Sequence, residues 1–261
     1  MIVNKSKPFD FLEGEFLWRF MDLHKFFSFV LEKKLFFARL DSFDDPLEGL
    51  TELLIGHIAA SEYEKDGMFD IPDESKEDYN KKREARKKII EEGTRQIQTT
   101  LFANCWFIGK KESFAMWNMY SDQNSVAIRY NPDQLLKLVI PLAESYTNED
   151  FKAFLYGKVE YYDVWPFSFT KKNDADNKYT PYKKDKSYIH ENEFRFTVAV
   201  PHELAGKYEY FKLPFGDIAE DDFKIFANPK MEDWKFNNLK KLLEPYKLSD
   251  KLVKSVLKTK N

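Results

Sequence analysis

The sequence predicts an α+β fold: a mixed, mostly antiparallel sheet with flanking helices, in a single domain spanning residues 1–261. Three observations predict it. Glu193 to Val200 alternates, with Phe194, Phe196, Val198 and Val200 on one side and Glu193, Arg195, Thr197 and Ala199 on the other, the period of a strand. Other short aromatic and β-branched runs share that character, while a few longer stretches repeat apolar residues at helical spacing. The hydrophobic fraction is only 43%, but 25 Phe, 14 Tyr and 5 Trp can each bury a large apolar area, so a sizeable core is within reach.

Taken in chain order, Glu15 to Met21 holds the aromatic run Phe16-Leu17-Trp18-Arg19-Phe20 and reads as a short strand carrying one arginine. Asp22 can cap the helix that follows, where Leu23, Phe26, Phe27, Val30 and Leu31 form one apolar face. Leu35 to Ala38 is a second short strand. Asp41 to Gly49 is turn-rich: Asp44 or Asp45 can bond nearby backbone, and Pro46 can start a helical turn at Leu47-Glu48. A helix is expected near Thr51 to Tyr63. Glu74 to Gln98 reads as a long exposed helix with a thin apolar stripe through Ile89, Ile90 and Ile97, part of a charged helical insertion near 66–99. Strands follow at Leu101 to Ile108 and Ser125 to Tyr130, with a short aromatic helix from Ser113 to Tyr120 between them. Asn131-Pro132 is a good start for a helix through Leu135, Leu136 and Val139. Lys158 to Asp163 reads as a strand and Trp165 to Lys186 as a long polar loop. Tyr208 to Leu213 and Phe223 to Ala227 read as strands, Glu232 to Leu243 as a helix, and Leu252 to Leu257 fits either.

Bulk properties exclude several classes. The net charge is −3, without the basic bias of a dedicated nucleic-acid binder. The basic run Lys81 to Lys88 leaves local nucleic-acid contact open, beside the blander account of a solvated face. The single cysteine, Cys105, excludes an internal disulfide framework and a Cys-rich zinc site, and fits a reducing cytoplasm. Inside its apolar run that thiol reads as inert. The four histidines form no metal pattern. No apolar run approaches the roughly 18 residues that cross a bilayer, and Met1 to Lys7 lacks a signal-peptide core, so no membrane partner is expected. The chain holds no phosphate-binding Gly loop, Walker pattern or Gly-x-Ser-x-Gly elbow.

The most informative stretch is His190-Glu191-Asn192-Glu193-Phe194-Arg195. If the strand starts at Glu191, then Glu191, Glu193 and Arg195 share one face. Two accounts stay open: a polar cleft in which a carboxylate grips or activates substrate and Arg195 positions it, or a solvent-facing edge strand with a weak ion pair. Arg19, between Trp18 and Phe20, is either a snorkelling surface residue or a buried anion clamp. In the helix Met116 to Tyr120, Trp117 and Tyr120 are either plain core or a stacking wall for a planar ligand. Asp41, Asp44, Asp45 and Glu48 cluster as a divalent cation would require, yet their spacing fits no calcium loop.

Four separated pieces together resemble an uncharacterised bacterial family, domain-of-unknown-function family 2971. They are Leu17-Trp18-Arg19-Phe20-Met21; Leu35 to Ala38 with Ser42 to Gly49; Cys105-Trp106-Phe107 with Met116 to Asp122; and Glu191 to Arg195. The family usually reads Phe-Asn-Asp-Pro where this chain has Phe43-Asp44-Asp45-Pro46, and Cys-Phe-Ser where it has Cys105-Trp106-Phe107. The resemblance implies no established activity. The order of parts is also similar to that of the ADP-ribosyltransferase superfamily: an early arginine, an aromatic wall, and a Glu-x-Glu opening a late strand. That layout implies NAD as substrate, with no further cofactor. In that layout Arg19 holds the diphosphate or ribose, and Trp117 or Tyr120 stacks on nicotinamide. Glu193 stabilises the cationic transition state and Glu191 orients the acceptor. Two alternatives stand beside it. One is a non-catalytic module binding a small molecule or protein in phage defence or a toxin-like locus. The other is metal-dependent phosphodiester cleavage through Asp44, Asp45 and Glu48.

Overall fold

The computed structural model describes residues 1–50, 76–162, 181–216 and 218–257, together with Leu54, Ile55 and Ile58. Most of the helix expected near Thr51 to Tyr63 and of the loop expected from Trp165 lies outside the described residues. The strands are β1 (Ile2–Lys5), β2 (Phe16–Met21), β3 (Lys34–Arg39), β4 (Leu101–Gly109), β5 (Val126–Tyr130) and β6 (Ala153–Lys158). They continue with β7 (Glu160–Tyr162), β8 (Lys183–Asp185), β9 (Glu193–Ala199), β10 (Tyr210–Pro214), β11 (Phe223–Ala227) and β12 (Leu252–Lys254). The helices are α1 (Leu23–Glu32), α2 (Lys76–Thr100), α3 (Phe114–Tyr120), α4 (Pro132–Glu144) and α5 (Asp233–Leu243).

Ten strands form one sheet in the order β1-β6-β9-β4-β2-β5-β11-β12, with β3 joining β4 from the side and β10 joining β3. Pairing is antiparallel except for β1 with β6 and β11 with β12. A separate parallel pair joins β7 to β8. The mixed, mostly antiparallel α+β class read from the sequence is the observed one.

Local chemistry accounts for the element starts. Asp22 accepts a hydrogen bond from the Lys25 N–H at 2.8 Å and caps α1. Ser113 accepts from Met116 and caps α3. Asn131 accepts from Asp133 at 3.0 Å, with Pro132 at the first helical position of α4. The highly charged α2 is held on its outer face by i,i+4 pairs such as Lys81–Glu77 at 2.8 Å and Lys82–Asp78 at 2.7 Å. Ile90 is its buried contact, while Ile89 is 69% exposed, so the expected stripe is narrower than drawn.

The two sheet faces carry separate cores. One collects Phe194, Phe196 and Val198 of β9 with Phe102, Trp106 and Ile108 of β4, under α1 and α4. The other is smaller and joins Trp18 and Phe20 of β2 to Met116 and Trp117 of α3 and to Phe226. Full burial of a ring such as Phe196 stabilises by roughly 1.5–3 kcal/mol.

The structure corrects several expectations. Phe29 replaces Leu31 on the buried face of α1, because at 3.6 residues per turn the stripe drifts away from Leu31, which is 59% exposed. The strand expected over Lys158 to Asp163 is the shorter β7, and β1, β6 and β8 were not expected. The strand expected to begin at Glu191 begins at Glu193. Glu191 ends a 3-10 turn, and Asn192 at φ +36° swings the chain before β9 starts, so period-2 counting does not carry across it.

Candidate functional site

The sheet forks, and the fork makes a groove. β2 pairs with β4 only through Phe16, Leu17 and Trp18, opposite Gly109, Ile108 and Phe107. Beyond Trp18 it follows β5. At its other end β4 pairs with β3 through Ala103 and Phe102. Asn104, Cys105 and Trp106 therefore have no strand beside them on that edge among the described residues. Side chains bridge the opening instead. Asn104 Nδ2 donates to the Phe36 carbonyl at 2.7 Å, and Trp106 Nε1 donates to Asn104 Oδ1 at 2.5 Å. The opening leads into a groove of about 580 Å³, a size suited to a small molecule or cofactor.

Arg19 lines this groove. It lies on the side of β2 that carries Leu17 and Met21, over the Trp106 ring with 5.9 Å to the centroid, and donates to the Phe36 carbonyl at 3.1 Å. It is half-buried: protein packs around it, and one edge stays open to the groove. Burial pushes its guanidinium down to about 10, which leaves it charged at neutral pH. Among the described residues no carboxylate pairs with it. It is neither a snorkelling surface residue nor a neutralised core residue; it is a cation presented to whatever enters.

Glu193 lines the same groove from β9. Phe107 pairs with Trp18 on one side and Glu193 on the other, so Glu193 shares Trp18's sheet face while Arg19, one residue on, projects from the opposite face; the two line the groove from either side of the fork. The edge-strand account fails, because β9 pairs with β4 and β6 on its two sides and Arg195 is fully buried. Arg195 Nε donates to Glu193 Oε2 at 2.6 Å, and Nη2 contacts the same oxygen. Glu193 lines the groove, and among the described residues no hydrogen bond reaches its Oε1. Burial pushes the Glu193 carboxyl above the usual range. Arg195 and Lys184 oppose the rise, while Glu191 and Glu48 add to it.

Behind Glu193 lies a buried ionic network. Both oxygens of Glu48 meet Arg195, Nη2 reaching Oε2 at 3.2 Å and Nη1 reaching Oε1. Arg195 Nη1 also donates to the Pro181 carbonyl at 2.8 Å. Lys184 sits 3.5 Å from Glu48 and 2.5 Å from Glu191. Glu191 Oε1 accepts from the Tyr120 hydroxyl at 2.6 Å. Burial opposes both cations, but Glu193 and Glu48 outweigh it and hold Arg195 well above its usual value, and carboxylates likewise hold Lys184 up. For Glu48, burial pushes upward and Arg195 with Lys184 overcomes it, leaving the carboxyl below its usual range.

The residues singled out in the sequence thus divide. Arg19, Tyr120 and Glu193 share the groove. Arg195 lies beneath it and acts only through Glu193. Glu191 is buried with both oxygens taken, so it cannot orient an acceptor directly. Trp117 is not a stacking wall: it is fully buried against Phe20, and its indole N–H donates to Glu112 at 2.9 Å. Asp45 turns its Oδ1 to the Leu47 N–H at 2.9 Å, the structural role expected of that turn. With Glu48 committed to Arg195, the metal reading of Asp44, Asp45 and Glu48 loses its ligand set, and among the described residues no three such side chains converge. Cys105 also lines the groove, and burial pushes its thiol up, so it is a poor nucleophile.

Sequence reasoning missed Lys184, Trp106 and Phe36. Lys184 sits in a Lys-rich stretch without local signal; Trp106 and Phe36 lay inside quoted motifs, and only the fork gives them a shared wall. Among the described residues no helix is long and apolar enough to cross a membrane. No family model, no curated protein and no solved structure matches the chain.

Proposed function

We propose that the groove binds NAD and that the chain is an ADP-ribosyltransferase-like enzyme, passing ADP-ribose from NAD to an acceptor. One observation carries this reading: Arg19, a cation without a carboxylate partner, lines one groove with Glu193, a carboxylate of which only Oε2 is bonded among the described residues. Arg19 meets the diphosphate. The half-exposed ring of Tyr120 offers a face to the nicotinamide. As the bond between ribose C1 and the nicotinamide nitrogen breaks, its electron pair leaves with nicotinamide, which departs neutral. Glu193 Oε1 stabilises the positive charge left on the ribose. An acceptor oxygen then bonds to C1 and releases its proton to water. Within this proposal the chain belongs to family 2971 and works in the bacterial cytoplasm, in a defence or toxin-like system.

A second reading, binding without turnover, is favoured by the double grip of Arg195 on Glu193 Oε2. One experiment separates the two. NAD binding is followed by calorimetry and nicotinamide release by chromatography, for the wild type and for Glu193→Gln. Binding by both with release by the wild type alone is expected. Binding without release by either supports the second reading, and no binding by either removes both.

A further inference from the structure

Behind this end of the groove stand two carboxylates, Glu48 and Glu191, that do not line it themselves. Glu191 holds Tyr120 and Lys184. Glu48 holds Arg195 and, more loosely, Lys184. We propose that Glu48 is a positioning residue: it clamps Arg195 so that the guanidinium grips one oxygen of Glu193 and leaves the other facing the groove. The inference rests on the reading of the groove as an NAD site.

The geometry supports a clamp over a chance ion pair. Arg195 and Glu48 both have fully buried side chains, so neither can trade its partner for water. The five N–H groups of Arg195 meet Glu48 on one side, the Pro181 carbonyl, and Glu193 on the other. A planar fork held by both oxygens of a carboxylate has little rotational freedom, so the face turned to Glu193 is fixed. Glu48 is itself anchored. Its backbone N–H donates to the Asp45 carbonyl at 3.1 Å, and Gln98 of α2 donates to the Pro46 and Glu48 carbonyls, each at 3.1 Å. Gly49 closes this turn at φ +75°, and a Cβ there would lie 2.5 Å from Leu40 Cδ1, so no other residue fits without displacement.

The groups around Glu193 come from several elements. They are Arg195 on its own strand, Cys105 on β4, Tyr161 on β7, Lys184 on β8, Tyr120 on α3, Glu191 in the 3-10 turn, and Glu48. Among the described residues Glu48, Glu191 and Glu193, with Asp45 beside Glu48, outnumber Arg195 and Lys184. Removing the Glu48 charge relieves Glu193 of a like charge. The Glu193 carboxyl then ionises at lower pH. Removing the Lys184 charge does the opposite.

The test is a carbon-13 NMR titration of the Glu193 side-chain carboxyl, assigned by its loss in Glu193→Gln, in the wild type, Glu48→Gln and Lys184→Met. Nicotinamide release is measured in parallel. In Glu48→Gln the midpoint moves to lower pH and kcat falls about 10- to 100-fold, with KM for NAD nearly unchanged, as expected of a reacting group set loose rather than a lost binding contact. In Lys184→Met the midpoint moves to higher pH. Midpoints that stay put, or that move the same way in both variants, overturn the proposal. If Glu48→Gln does not fold, Glu48→Asp decides: it keeps the charge but shortens the reach to Arg195, so kcat falls while the midpoint stays near the wild type, and an unchanged kcat overturns the clamp. The titration needs no turnover, so a wild type that does not bind NAD sinks the proposed function and leaves the clamp to be judged separately.

Discussion

Replacing Arg195 with methionine tests the buried network as a whole. Methionine fills a similar volume but supplies none of the donors that reach Glu193, Glu48 and the Pro181 carbonyl. Glu48 and Glu193 are left at a buried site where, among the described residues, Lys184 alone balances them. Breaking one partner out of a buried charge pair costs about 3–5 kcal/mol, because the remaining charge stays desolvated. At about 2–4 °C per kcal/mol for a chain of this size, melting at neutral pH falls by about 6–20 °C. The sign with pH follows from linkage. In the wild type Glu48 is held below its usual range, so its stabilisation is present above the ordinary glutamate pKa and is lost as pH falls through the folded value. In Arg195→Met both carboxyls are pushed above their unfolded values, so the variant is relatively better off in acid and worsens as pH rises. The gap between the proteins therefore narrows as pH falls from 7.5 towards 5. Thermal melts across that range read it directly. A loss below about 1 kcal/mol, the yield of an exposed pair, or a gap that does not change with pH would refute the reasoning.

Four further outcomes are expected. Glu193→Gln keeps NAD affinity and lowers kcat by about 10²–10³, the usual cost of removing one electrostatic stabiliser, read as nicotinamide release. Because Glu193 must be ionised to act and burial raises its pKa, the wild-type rate falls with decreasing pH through a midpoint above the ordinary glutamate range. Arg19→Met weakens NAD binding about ten- to hundredfold by calorimetry, the worth of one hydrogen-bonded charge. Cys105 alkylates with iodoacetamide far more slowly in the native protein at pH 7.5 than in urea, since burial keeps the thiol protonated.

Local rules made much of the fold legible. Asp22, Ser113 and Asn131-Pro132 start helices because their side chains or ring geometry serve the backbone beside them. The alternation after Glu193 marks a strand because one face meets the large core, although that pattern alone could not say that the other face is buried as well. The two ends of β9 differ in legibility for a physical reason. Asn192 adopts a left-handed conformation and donates its Nδ2 to the Ile108 carbonyl at 2.8 Å, so Glu191 leaves the strand's register yet returns to the same cluster through Lys184. β1 and β6 escaped notice because their parallel pairing joins segments about 150 residues apart, and β1 is mostly exposed. At the site, Arg19, Tyr120 and Glu193 could be named from type and order. Helical spacing set Trp117 and Tyr120 on different faces without saying which one met the core. The fork between β2 and β4 depends on non-local partners, and it decides which named residues share a groove.

The central claim is that NAD lies in this groove with its ribose at Glu193 and its diphosphate at Arg19. A crystal structure of the Glu193→Gln protein with NAD tests it most directly. A ribose hydroxyl within about 2.6–3.2 Å of the residue 193 side chain, with a diphosphate oxygen on the Arg19 guanidinium, is the predicted result. NAD bound elsewhere on the protein, or absent from the groove at saturating concentration, contradicts the account.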